Sequence, residues 1–373
     1  MLKGSSQGQS NRPIATPIAM NSEERAKRAY SHQEPDRVPI DYLANPGIDR
    51  RLKDHFGLQA NDDLGLRDLL KVDFLGVAPD YTGPRLHDKK PGRSIDMWGI
   101  HRIWIEHDSG GYWDYCDFPL ESASLEEIDA WPFPSPDDFD YEALARKCAA
   151  EANRFTMIGH PGFADIINTT SMLRGMETVL MDLAAGEPET LRLIERRIDI
   201  QLETMRRSIE AARGLINQVW IGEDLGTQQS PLVSKQLFRD HIRPQLEKFV
   251  RLADENDLPV MVHSCGSSSW AYPDFIEMGV RVVDTLQPEA VNMDPAFLKA
   301  TYGKDLSFHG CVSTAGPVAS GSREETIASV EEVLEIMMPG GGYALSPTHM
   351  LQDNSPTENV LAVYETALEK GRY

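Results

Sequence analysis

The sequence predicts an α/β fold, a (β/α)8 TIM barrel, and three observations carry that expectation. Eight short apolar runs recur along the chain, at residues 38–43, 73–77, 154–159, 218–222, 258–263, 281–285, 306–310 and 342–345. Each after the first is reached through a helical or long connection, and repeated β-then-α units call for right-handed parallel crossovers. No Gly-rich nucleotide turn follows an early run, which sets the open doubly wound sheet behind the barrel.

The elements follow in order. Asn21 with Glu24 three positions later is an N-cap signature for a short helix to about Ser31. The first strand, 38–43, ends at Asn45-Pro46-Gly47; helical stretches at 48–56 and 64–71 lead to the second, 73–77. Residues 78–144 then break the rhythm. Within them 97–105 and 111–115 read as an antiparallel β-hairpin, an insertion after strand 2 that caps one end of the barrel, closed by the Pro-rich bend 131–136.

From residue 154 the alternation becomes regular. Leu191, Ile194, Ile198, Leu202, Met205 and Ile209 recur at spacings of three and four, the apolar stripe of a helix over 189–212. A helix over 234–253 precedes the fifth strand, and Asp294-Pro295 opens a short one in the N-cap/N1 pattern. Ser322-Arg323-Glu324-Glu325 and Ser355-Pro356-Thr357-Glu358 are capping boxes for the last two helices. Residues 21–373 thus read as a single domain, preceded by a polar extension, 1–20, expected to be disordered.

Composition narrows the function. With 37 Lys and Arg against 58 Asp and Glu, a net charge of −21 repels phosphate backbones and anionic lipid, so neither nucleic acid nor membrane is an expected partner. No apolar run approaches the roughly 18 residues of a membrane helix. Cys116, Cys148, Cys265 and Cys311 are too few for a disulfide framework in 373 residues, and a reducing cytoplasm fits them.

Barrel enzymes carry their catalytic groups at the carboxyl ends of the strands. Those ends hold Asn45, His160, Glu223 with Asp224, His263 with Cys265, Gln287, His309 with Cys311, and His349. Random placement would scatter such side chains; their concentration on one rim points to an enzyme. The sharpest case is the run 258–263 breaking into His263-Ser264-Cys265-Gly266. Residues i and i+2 of an extended chain share a face, so an imidazole and a thiolate can converge on one ion. That donor pair suits zinc, given further ligands from elsewhere; a core histidine beside a free cysteine is the plainer alternative. Glu223, Asp224 and His160 are the catalytic candidates; Glu223 or Asp224 could supply a proton or a fourth metal ligand, although a helix cap or salt bridge would equally explain that pair. Only one of that adjacent pair is expected to face the barrel mouth. Asn45, Trp98, Gln287 and His309 are candidates for substrate contact, with Trp113 and Trp270 as further aromatic walls.

Pro35-Asp36-Arg37-Val38-Pro39, His263-x-Cys265-Gly266 and Gly342-Tyr343-Ala344-Leu345-Ser346-Pro347 followed by Pro356-x-Glu358-Asn359 resemble the uroporphyrinogen decarboxylase superfamily over about residues 21–371. Within it the chain is more similar to the corrinoid-dependent methyltransferase branch. That branch moves methyl groups between methylated compounds, a corrinoid protein and a thiol, and holds zinc through His-x-Cys and a later Cys. The resemblance implies His263 and Cys265 as zinc ligands, with His349 standing where the family has its later Cys, or Cys311 completing the site instead. It implies Zn2+ and a corrinoid (cobalamin) carried by a partner protein, with a small methylated substrate, a methyl ether or methylthiol. Such barrels occur as monomers and as homodimers. The founding decarboxylases recognise their acidic tetrapyrrole with an Arg-Gln-Ala-Gly-Arg motif after the first strand; here Asn45-Pro46-Gly47-Ile48-Asp49-Arg50 occupies that place. A lyase acting on a carboxylated substrate, and a metal-free relative, are the competing readings.

Overall fold

The computed structural model describes residues 20–107 and 110–373; the expected disorder of 1–20 falls, but for its last residue, outside them. In chain order the elements are α1 (Ser22–Tyr30), α2 (Pro46–Phe56), α3 (Asp63–Leu69), β1 (Phe74–Val77), β2 (Asp80–Tyr81), β3 (Ser94–Ile95), β4 (His101–His107), β5 (Gly110–Cys116) and α4 (Leu125–Ala130). Then come β6 (Phe139–Asp140), α5 (Tyr141–Ala150), β7 (Phe155–Gly159), α6 (Ile167–Arg174), α7 (Met176–Ala185), α8 (Pro188–Ala211), β8 (Gln218–Gly222), α9 (Lys235–Leu237) and α10 (Arg243–Asp254). The chain closes with β9 (Val260–Ser264), α11 (Tyr272–Met278), β10 (Val282–Thr285), α12 (Pro295–Tyr302), β11 (Ser307–Val312), α13 (Pro317–Ser320), α14 (Arg323–Met337), β12 (Tyr343–Pro347) and α15 (Thr357–Lys370).

Seven strands form one parallel sheet in the order β1-β7-β8-β9-β10-β11-β12, curled as in a TIM barrel. They answer to the second through eighth predicted runs. Every residue of β7, β8, β11 and β12 is buried, as strands covered on both faces require. The lower interior is filled by Phe74, Phe155, Met157, Trp220, Met261, Val282 and Ala344, with Ala26 of α1 packed among them.

The first predicted strand does not form as one. Residues 38–44 run extended between the two edges of the sheet, pairing by backbone only through isolated bridges, Ile40 to Leu345 of β12 and Ala44 to Leu351 beyond it. Asp41 N donates to the Leu345 carbonyl (2.8 Å), and Asp73 N to that of Ile40 (2.8 Å). Two local causes interrupt the ladder. Pro39 has no N–H to give, and Ile40 N is taken by the Asp73 carboxylate (2.9 Å). Asp73 is itself buried and accepts Arg25 Nη1 and Arg37 Nη1, each at 2.7 Å. It thereby ties α1 and the Pro35-Asp36-Arg37 turn to the start of β1.

The predicted helix over 234–253 is interrupted by a π-helical turn at Phe238–Ile242. Pro244 cannot donate to the Asp240 carbonyl one turn back, so the chain widens there before α10 resumes. Between β1 and α5 the chain leaves the barrel sheet. β3, β4 and β5 pair antiparallel, with Trp104 opposite Trp113. The hairpin starts four residues later than the sequence suggested, because Asp96–Gly99 is a turn with Gly99 at φ +83°.

Candidate metal centre

Parallel pairing sets Gly222 of β8 opposite His263 of β9, so the residues just past these two strand ends face each other. The loops that follow approach so closely that both require glycine. A Cβ on Gly266 (φ +70°) would stand 2.3 Å from the Gly226 carbonyl oxygen, and one on Gly226 the same distance from Ser267 N. Gln287 locks the crossing by accepting Gly266 N (2.7 Å) and Gln228 Nε2 (3.1 Å) on its Oε1.

This crossing brings Asp224, His263 and Cys265 together, their ligand atoms all within 4.8 Å of one another. His263 Nε2 lies 3.4 Å from Cys265 Sγ and 3.8 Å from Asp224 Oδ1. Asp224 also accepts Cys265 N (2.8 Å) and Asn168 Nδ2 (2.8 Å). Zinc bonded at about 2.0–2.3 Å holds tetrahedral ligand atoms roughly 3.3–3.8 Å apart, a range that both distances from His263 meet. The N, S, O donor set suits zinc as well. Among the described residues no other group of three His, Cys, Asp or Glu side chains is so gathered.

Behind His263, Nδ1 meets Asp284 Oδ2 at 2.8 Å and Thr285 Oγ1 at 2.7 Å. A buried carboxylate there keeps the proton on Nδ1 and turns the Nε2 lone pair toward Cys265 and Asp224, the arrangement that supports metal-bound imidazoles. Thr285 and Leu286 have φ of +89° and +58°, a strained conformation for a β-branched residue and its neighbour at the end of β10. Burial disfavours a charged His263, but the bond to Asp284 and the nearby Cys265 outweigh it and hold the imidazole's pKa well above its ordinary value. Burial pushes the Cys265 thiol up, against the pull of His263. The metal-free cluster therefore carries protons that a divalent cation would displace.

Glu223 points the other way. Its buried carboxylate accepts Ile166 N (2.7 Å) and Ile167 N (3.2 Å), capping α6; burial and Asp165 push its pKa well up. Of the adjacent pair, only Asp224 joins the cluster. His160 keeps one edge in solvent and accepts Gly162 N (3.2 Å) on Nδ1. Protein packed around its ring and the charge of nearby His263 both lower its pKa.

Several expectations need correction. Neither His349 nor Cys311 is in the cluster. His349 is exposed in the loop after β12, where Gln352 Nε2 meets its Nδ1 (3.1 Å), and the same Gln352 accepts Asn45 Nδ2 (3.2 Å). Asn45 thus belongs to that outer rim. Cys311 has φ +70° and is buried, and its thiol is pushed up by burial and by Asp294. His309 is no rim residue either. It is fully buried in the barrel, with Nδ1 on the Tyr30 hydroxyl (2.7 Å) and Nε2 3.2 Å from Asp41 Oδ2. Gln287 serves the loop crossing. Trp98 packs on Phe133 under the Arg197 guanidinium, 5.6 Å from the ring centroid. Trp270 packs on Phe238 and donates to the Leu225 carbonyl, whereas Trp113 stands exposed on the hairpin.

The sequence reading missed Asp284, Thr285, Asp165 and Asn168. Asn168 Nδ2 bridges Asp224 and Asp165 (2.8 and 3.2 Å), and burial together with Asp224 pushes the Asp165 carboxyl up to about 6. Asp284 carried a signal of its own: an ionisable residue inside the run Val282-Val283-Asp284-Thr285 has to find a partner. A cavity of about 730 Å³ bordered by Tyr30, Asn217 and Arg281 opens at the opposite, amino ends of the strands, away from these groups.

Comparison with known proteins agrees with this architecture. The family profile described as uroporphyrinogen decarboxylase (URO-D) matches residues 119–369. Among solved structures the chain is similar to a methyltransferase from Methanosarcina mazei, with a TM-score of 0.64 and 16% identity, covering 94% of this chain and 99% of that one. No curated protein sequence matches. Among the described residues no helix is long and apolar enough to cross a membrane.

Proposed function

The chain belongs to the uroporphyrinogen decarboxylase family, and from that premise we propose that it is a zinc-dependent methyltransferase. It moves a methyl group between a small methylated substrate, an ether, methoxylated compound or methylthiol, and a corrinoid held by a partner protein. The observation that carries this reading is the convergence of Asp224, His263 and Cys265, their ligand atoms all within 4.8 Å of one another. Zinc on these three residues would act as a Lewis acid, binding the substrate's heteroatom and stabilising the negative charge left on it when the methyl group departs.

The protein's own residues supply orientation. Asp284 and Thr285 fix the His263 ring; the Gly226–Gly266 crossing fixes Asp224 against Cys265. Asp224 is the half-open side of the cluster, its side chain 31% exposed, so substrate arrives over it. His160 lies near His263, where burial and that residue's charge lower its pKa, and it is the group to exchange a proton with the heteroatom. The methyl acceptor chemistry belongs to the corrinoid, and the barrel contributes positioning and field.

The family description favours a second reading, decarboxylation of a carboxylated substrate. One experiment separates the two. Purified protein is loaded with zinc and mixed with cob(I)alamin and a panel of methoxylated aromatics and methylthiols. Zinc-dependent appearance of methylcobalamin is expected, abolished in His263→Ala; no methylation with any substrate, from protein that binds zinc, would sink the proposal.

A further inference from the structure

Of the twelve large apolar side chains that stand well exposed among the described residues, five sit on one hairpin: Trp104, Ile105, Tyr112, Trp113 and Tyr115. Trp104 faces Trp113 across the strands, ring centroids 5.5 Å apart, and Ile105 faces Tyr112. Strand alternation puts these two pairs on opposite faces. Both sides of the outer hairpin therefore carry exposed large apolar side chains, unlike a sheet packed on a core. The root is anchored: His101 is buried beside Asp117 (3.2 Å), and Arg102 pairs with Asp96 (2.7 Å). Its outer strand, β5, pairs with β4 alone among the described strands, so it forms one edge of the small sheet.

The position matters as much as the chemistry. The connection carrying the hairpin leaves the carboxyl end of β1, the rim that bears Asp224 and Cys265. At its base Ile100 and Leu120 pack with Leu173 of α6 and Leu193 of α8. The same α6 contributes Asn168 to Asp224. The base of the arm thus packs on the same helix that reaches Asp224.

We infer that this hairpin is the docking arm for the protein that carries the corrinoid, a partner that binds transiently through aromatic contacts. The inference rests on the methyl-transfer reading above. The exposed area selects the occupant. Trp104, Tyr112, Trp113 and Tyr115, 38–51% exposed, with Ile105 at 37%, offer on the order of 400 Å². A stable complex, including a permanent second copy of this chain, buries about 800 Å² per partner, and smaller contacts mark transient encounters. A carrier that must leave to exchange its methyl group elsewhere needs such a contact.

The test uses the full chain with zinc, the doubly substituted Trp104→Ser/Trp113→Ser protein, and Ile105→Ser on the other face. The probes are free cob(I)alamin and a corrinoid-binding protein of the same organism purified with cobalamin bound. The double variant should match the parent with free cob(I)alamin, while kcat/KM with the carrier and its Kd by calorimetry each worsen by about tenfold or more. Ile105→Ser should lose less, and all three should melt alike. Equal carrier affinity in parent and double variant overturns the proposal. So does a parent dimer that the double substitution converts to monomer, which makes the arm a self-interface. Carrier binding that depends on the arm, without methyl transfer to either probe, would keep the docking surface and discard the methyl-transfer reading.

Discussion

The chain contains two His-x-Cys motifs at strand ends, His263-x-Cys265 on β9 and His309-x-Cys311 on β11. One gathers a metal-like cluster; the other holds the core. Spacing is the same, so backbone must decide. His263 stands next to the last residue of β9, and its partner follows directly at the rim. His309 lies three residues short of the end of β11, deep enough to meet Tyr30 of α1 and the edge of Phe74 at 5.0 Å. Beyond it Gly310 and Cys311 have φ of +138° and +70°. Two successive positive φ values break strand alternation, and the thiol is buried near Lys299 and Asp294 of the helical layer. A motif read as letters is thus a statement about alternation, and it holds only where the chain remains extended.

The largest expected effect tests that contrast directly. Zinc content measured by mass spectrometry should be close to one per chain in the parent and near zero in His263→Ala and in Cys265→Ala, since structural zinc affinity collapses with an incomplete ligand set. Cys311→Ala and His349→Ala should retain the parent's zinc. If His349→Ala loses it, the loop after β12 closes on the site and the contrast between the motifs is incomplete.

The two regions differ in charge as well. Around the first motif stand Asp224, Asp165, Glu223 and Asp284; the buried Asp165 has a pKa of about 6 against an ordinary 3.8. A carboxyl raised on folding binds its proton more tightly in the native state. Its contribution is therefore fully present below pH 3.8 and is lost as pH rises through about 6. The difference is at most about 3 kcal/mol. Urea unfolding of zinc-free protein should show parent stability falling over that window relative to Asp165→Asn. Parallel curves would mean that Arg197, buried and held to Thr170 Oγ1 at 3.0 Å, already neutralises the carboxylate.

Asp284 gives a finer measure. It touches His263 from behind and reaches no other cluster atom by hydrogen bond. Asp284→Ala should weaken zinc binding by about 10–100-fold without abolishing it, the cost of losing a carboxylate behind a metal-bound imidazole. An affinity unchanged in competition with a chelator would leave Thr285 as the group that orients the ring.

Most of the barrel was readable because its cues are local. Short apolar runs between helical stretches located all seven strands of the sheet to within two residues, and His263 with Cys265 stood out at the end of one of them. What escaped depended on neighbours distant in sequence. The edge segment 38–44 fails as a strand because Asp73 takes the Ile40 N–H, a contact across 33 residues. Asp224, and not His349, stands beside His263 and Cys265 because two glycine loops cross, and loop crossing leaves no periodic trace. Trp98 was legible as an aromatic but not as the platform of a buried Arg197 from α8.

The smallest effect separates the motifs by what their cysteines stabilise. Cys311 is 1% exposed within the main apolar cluster, so Cys311→Ala removes one well-packed sulfur and should cost about 1 kcal/mol, comparable to a buried methylene. That loss should be the same with zinc and with chelator, because Cys311 lies outside the gathered cluster. Cys265→Ala should behave oppositely. In chelator its unfolding curve should nearly overlay the parent's, since the Cys265 side chain is partly exposed. With zinc at roughly a thousand times the dissociation constant, the parent alone should gain about 4 kcal/mol from ligand linkage. A zinc-dependent cost at Cys311, or a zinc-independent one of the same size at Cys265, would mean that the wrong motif has been assigned to the metal.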